Sequence, residues 1–153
     1  MQERQIELVG EALSKENADG RVLLEFERLG EPAFDEIVRQ YRAGLLTAEQ
    51  QRLMLRRLAL LSRQACPNRT EEVVDLGMEL LGSADRAIRT TVITTTIWGV
   101  ALLEHTPSLV ATAENSIGVL PSLRERVKAA VRHALELGID ESDADFAREF
   151  LAH

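Results

Sequence analysis

The sequence predicts an all-α protein, and three observations carry that prediction. Apolar residues recur at three- and four-residue spacing along almost the whole chain, while sustained period-two alternation is absent. Nine Gly and four Pro are too few for a turn-rich all-β architecture. Capping and breaking residues bracket helices joined by connections of two to five residues, so that successive helices pack as antiparallel neighbours. At 153 residues, 45% hydrophobic and 28% charged, the chain can bury a core and is neither a disordered tail nor a collagen-like fibre.

Each element follows from its punctuation. A first helix runs from about Gln2 to Leu13, and a second from Gly20 to Leu29, stopped near Gly30. Pro32 suits a first helical turn and opens a third, which ends before Gly44. Thr47 with Gln50 three residues on forms a capping box for a long fourth helix to Ala65, and Pro67 enforces the break. Thr70 is expected to cap a fifth helix ending at Gly82, and Ser83 a sixth reaching Glu104. Thr106-Pro107 should start a seventh over Ser108 to Val119, and Pro121 an eighth closed by Gly138. Asp140 caps a last short helix, Glu141 to Leu151.

Short and long helices alternate at a spacing of about forty residues, with Ile88-Arg89 in register with Val127-Lys128. A pair of this kind leaves an apolar flank that a neighbouring pair can cover. Ala84-Asp85-Arg86-Ala87-Ile88-Arg89-Thr90-Thr91-Val92 and the segment Leu120 to Ala130 resemble second helices of HEAT (armadillo-type) repeats. In those, an Asp or Pro turn leads into a Val/Ile-Arg pair and then small residues. The resemblance covers residues 67–138 well, 32–65 weakly and the first thirty not at all. It implies a short right-handed α-solenoid of about three antiparallel helix pairs plus N-terminal helices; a plain helical bundle is the alternative. The expected organisation is a single domain over 1–153, with N-terminal helices at 1–31, HEAT-like pairs at 32–138 and a capping helix at 139–153.

The net charge is −7, and sixteen of the eighteen basic residues are arginines, for which a GC-rich genome is the plain explanation. An acidic chain repels phosphate backbones, so nucleic acid is not the expected partner, whereas a cationic protein fits the sign. Cys66 stands alone, which excludes an intrachain disulfide and points to a reducing cytoplasm. The segment MQERQIELVGEALSKE lacks the apolar run of a signal peptide, and Thr90 to Leu103, with five threonines, is too short and too polar to span a bilayer.

Helical projection picks out the candidate binding residues. In the fourth helix Arg52, Arg56 and Arg63 lie within about 40° of each other, opposite the arc of Leu53, Met54, Leu58, Leu60 and Leu61. In the eighth, Leu123, Val127, Ala130, Val131 and Ala134 are expected to be buried, while Arg124, Lys128 and Arg132 form a stripe at four-residue spacing. Both stripes read either as solvated faces with weak local ion pairs or as a basic strip lining the inner curve of a solenoid. The sixth helix is apolar nearly all round, as a helix sandwiched between neighbours would be. Its least apolar sector carries Thr91, Thr94 and Thr95 beside Trp98. That sector reads either as tight helix packing or as a hydrogen-bonding patch centred on an aromatic anchor.

Catalytic chemistry finds little support. His105, expected in a turn, His133 and His153 are scattered, and no HxxxH, HExxH or CxxC spacing exists. Cys66 reads as inert, and Asp140 to Asp145 lacks the central Gly and final Glu of a calcium loop. Neither a catalytic site nor a metal or cofactor is expected. The leading expectation is a non-enzymatic protein–protein interaction module, such as a small bacterial immunity, antitoxin or adaptor protein. Its contact residues are Arg52, Arg56, Arg63, Thr91, Thr94, Thr95, Trp98, Lys128 and Arg132. A nucleic-acid-binding protein related to HEAT-like alkylpurine DNA glycosylases is the alternative. A homodimer through the apolar surface of the first two helices is a third reading.

Overall fold

The computed structural model describes residues 3–14, 20–110 and 116–153. Among the described residues eight α-helices follow one another: α1 Glu3–Ser14, α2 Gly20–Leu29, α3 Glu31–Arg42, α4 Ala48–Gln64, α5 Thr70–Leu81, α6 Arg86–His105, α7 Ser116–Leu137 and α8 Glu141–Ala152. Two 3₁₀ turns, Pro67–Arg69 and Pro107–Leu109, interrupt the series, and no strand occurs among the described residues. The chain divides into two compact units, one ending at Pro67 and one beginning at Asn68.

In the first unit each of the four helices packs against the other three. Leu8, Val9 and Leu13 of α1, Phe26 of α2, Phe34 and Ile37 of α3, and Leu53, Met54, Leu58 and Leu61 of α4 are buried. Local chemistry fixes the helix ends. Gly30 adopts φ 64°, a left-handed conformation that an L side chain resists, and so turns α2 into α3 within one residue. Pro32 then sits in the first turn, where its missing amide costs nothing. Thr47 and Gln50 form the capping box: the Gln50 amide donates to Thr47 Oγ1 at 3.2 Å and the Thr47 amide to Gln50 Oε1 at 2.9 Å.

The second unit is organised around α6, which packs against α5, α7 and α8. Ile88, Val92, Ile93, Thr96, Ile97, Val100 and Leu103 are its buried face, and Thr96 Oγ1 donates to the carbonyl of Val92 one turn back at 2.8 Å. Helices α5 and α6 approach closely because two glycines stand between them. A Cβ on Gly77 would lie 3.0 Å from Thr96 Cβ and closer still to its Oγ1, and a Cβ on Gly99 would lie 2.6 Å from Val74 Cγ2.

Several expected boundaries are corrected. Ser83 does not cap α6; the carboxylate of Asp85 accepts from the Ala87 and Ile88 amides at 2.8 and 3.2 Å, while Ser83 Oγ accepts from the Asp85 amide. A carboxylate is the stronger acceptor at the positive end of a helix. Thr70 is the first residue of α5 rather than its cap, because the 3₁₀ turn before it already sets the chain direction. The expected helix over Ser108 to Val119 is replaced at its start by the Pro107–Leu109 turn; residues 111–115 lie outside the described residues, and 116–119 belong to α7. Pro121 therefore lies inside α7, just beyond the four amides that lack an intrahelical partner. Gly138, at φ 107°, does end that helix.

Candidate protein-binding face

The geometry of α6 follows from what its other sides must hold. Arg89, in the first turn, is buried, and its guanidinium donates to the carbonyls of Ser83 at 2.8 Å, Leu137 at 3.1 Å and Gly138 at 2.8 Å. The last carbonyls of α7 have no amide within their own helix, and a cation there is favoured by the helix dipole. Arg86 adds a hydrogen bond to Ile139 O and an ion pair to Asp140, and Thr90 Oγ1 accepts from the Asp140 amide. The α7–α8 turn is thus clamped to the start of α6. Farther along, Glu104 pairs at 2.7 Å with Arg124 of α7, whose guanidinium lies 4.9 Å over the ring of Phe150 on α8.

With those sides committed, one stripe of α6 remains at the surface. Thr91, Thr94, Thr95, Trp98, Ala101, Leu102 and His105 follow the helical period on a single side. Trp98 is 64% exposed, the others are half-buried, and His105, the last residue of the helix rather than part of a turn, is exposed. Of the expected residues, the structure brings together Thr91, Thr94, Thr95 and Trp98.

The basic candidates fare differently. Arg52 grips Glu49 through two hydrogen bonds of 2.5 and 3.1 Å and is largely covered, whereas Arg56 and Arg63 are exposed on α4. All three arginines belong to the first unit, and the threonines, Trp98, Lys128 and Arg132 to the second. On α7, Lys128 buries most of its stem and sits 3.9 Å from Glu125, Arg124 is held by Glu104 and Phe150, and Arg132 is exposed. Sequence reasoning missed Arg57 and Arg89 as buried residues. The signal was present: Arg57 stands four residues from both Leu53 and Leu61, and Arg89 three before Val92, inside the apolar stripes.

Two carboxylates are perturbed in opposite directions. In the first unit the Arg39 guanidinium, bonding both oxygens of Glu36 at 2.6 and 2.8 Å, holds that carboxyl below its ordinary value of 4.5 against the effect of burial, with Gln40 assisting. In the second, desolvation raises Asp75 above 3.8; Arg126 opposes the rise and Glu71, Glu72 and Glu79 add to it.

Among the described residues no group of three or more His, Cys, Asp or Glu side chains could hold a metal ion, and no helix is long and apolar enough to cross a membrane. Cys66 is buried, with its thiol 3.6 Å from the Leu61 carbonyl. Comparison of the chain with family models, with curated proteins and with solved structures finds no match.

Proposed function

We propose that the chain is a non-enzymatic protein-interaction module, and that the outer stripe of α6 is its contact face. One observation carries the reading: the only tryptophan of the sequence lies 64% exposed on the surface stripe of α6, one turn beyond the half-buried Thr94 and Thr95. Trp is among the side chains enriched at interface hot spots, and an exposed ring flanked by threonine hydroxyls offers both an apolar anchor and hydrogen-bonding groups at its edge. The surrounding α6 is fixed by Arg89, Gly77 and Gly99, so the ring is presented on a rigid element and loses little freedom on binding. The α5–α6 hairpin and the position of α6 within its unit fit a HEAT-like pair whose second helix offers the binding face, and a small adaptor or immunity protein of the cytoplasm fits this size and chemistry.

Affinity capture from native lysate tests the reading. Wild-type protein should retain a reproducible protein partner that Trp98→Ala loses, with the far-UV circular dichroism of the variant unchanged. Undiminished capture by a correctly folded Trp98→Ala chain would remove this face from the proposal.

A further inference from the structure

We infer that the α6 stripe takes a second copy of this chain, packed across it about a two-fold axis. The inference rests on the reading of α6 as a contact face and names its occupant. Two features of the face select a copy of itself.

The first is charge. From Thr90 to Leu103 the helix carries no charged residue, a run of fourteen positions in a chain that is 28% charged and has a net charge of −7. A strongly charged partner gains nothing from such a face. Two copies of an acidic chain, by contrast, associate best where neither brings a like charge to the contact. Of the other exposed apolar residues on helices, Leu137 directly follows the exposed Glu136 at the end of α7, and Ile6 on α1 and Leu24 on α2 do not meet this condition either. Arg4 on the same surface is 3.5, 3.8 and 3.3 Å from Glu7, Glu11 and Glu25, so pairing there would set an ionic network against its own image.

The second is shape. An isologous interface requires that whatever protrudes from the face finds its recess on that same face. Trp98 is the protrusion; Thr94, Thr95 and Thr91, three, four and seven residues before it on the same stripe, are short side chains that leave room beside it. A two-fold axis passing between Trp98 and the threonines places each ring over the partner's Thr91–Thr95 turn, with hydroxyls at the rim. One large and six smaller side chains cover on the order of 300–400 Å² per copy, well under the area of a stable interface, so the dimer is a transient one that forms toward the millimolar end of concentration.

Because Trp98 is the sole tryptophan, its emission reports directly on its own burial. Purified chain is followed from about one micromolar to about one millimolar by sedimentation velocity and by intrinsic fluorescence, a range chosen to span weak dimers. The expected result is a rise from the 17.0 kDa monomer to twice that mass, with a blue shift of the emission over the same concentrations. Thr94→Glu and, separately, Thr95→Glu should weaken the dimer at least tenfold and hold the emission at its dilute position, circular dichroism confirming that each variant is folded. A single 17.0 kDa species with constant emission throughout overturns the inference, as does a dimer that both glutamate variants leave intact. A chain that stays monomeric yet captures a different protein through Trp98 loses the second copy as occupant and keeps the interaction face, so the two readings fail separately.

Discussion

Gly10, in the middle of α1, faces open space, whereas Gly77 and Gly99 in α5 and α6 stand where a Cβ would strike the opposite helix. The first unit tolerates its helical glycine; the second is built on its glycines. Beside that difference runs a likeness. In each unit a buried arginine in the apolar stripe of one helix donates to carbonyls at the C-terminal end of another: Arg57 of α4 to Ala12 O at 2.8 Å, and Arg89 of α6 to Leu137 O and Gly138 O. Both guanidiniums meet carbonyls that their own helices leave without amide partners. The comparison teaches that helix ends are secured alike in the two units, while helix faces are packed on different terms. The first unit fills the space between helices with Leu and Phe, and α5 and α6 of the second instead bring backbones together.

The largest effect is expected where the likeness is broken. Arg89→Met removes the donor to three carbonyls and leaves them buried, which should cost about 3 kcal/mol in urea denaturation. Arg89→Lys should recover less than half of this, because a single ammonium cannot span Ser83 O, Leu137 O and Gly138 O as a planar fork does. Full recovery by lysine would show that charge at the helix end, rather than the fork geometry, matters there.

The glycine contrast predicts opposite signs for one substitution. Gly77→Ala should destabilise by about 1–2 kcal/mol, since overpacking against Thr96 outweighs the gain in helix propensity. Adding Thr96→Ala should return part of that loss as a coupling energy in a double-mutant cycle. Gly10→Ala, with nothing near its new methyl group, should stabilise by about 0.5–1 kcal/mol. Two variants that move the denaturation midpoint in the same direction would erase the distinction between the units.

The carboxylates sharpen the comparison in acid. Glu36, lowered by Arg39, contributes stability that is present above pH 4.5 and lost as the pH falls through its depressed folded value. Glu36→Gln should therefore weaken the protein by about 1 kcal/mol at neutral pH, with the difference fading as the pH falls through the lowered value. Asp75, raised by desolvation, works the other way: its charge opposes folding at neutral pH, and protonation as the pH falls through the raised value relieves that. Asp75→Asn should raise the denaturation midpoint at pH 7 and lose its advantage in acid.

Much of the fold was legible where a short-range rule decides. Thr47 with Gln50, Gly138 after Leu137, and the three- and four-residue apolar spacing all act within one or two turns of chain. Asp85 over Ser83 as the cap of α6 was within reach too, had acceptor strength been weighed. What stayed hidden depends on chain segments far apart. Nothing local tells that Arg89 finds carbonyls 48 and 49 residues on, or that Arg57 reaches back 45 residues to Ala12. An arginine inside an apolar stripe was a readable warning all the same. For the candidate face, periodicity put Thr91, Thr94, Thr95 and Trp98 on one side of a helix, but a helix apolar nearly all round does not announce which side its neighbours leave open. That was decided by Gly77 and Gly99 on one flank and Glu104 with Arg124 on the other.

The smallest stability effect is expected at the most exposed large apolar side chain among the described residues. Trp98 buries only about a third of its surface, so Trp98→Ala should change the unfolding free energy of the dilute protein by less than about 1 kcal/mol. The measurement separates two reasons for keeping a tryptophan there. If the ring held α6 in place, its loss would approach that of Arg89→Met and would be felt at every protein concentration. If the ring serves a contact with another molecule, the dilute protein is indifferent to its removal, and only association suffers.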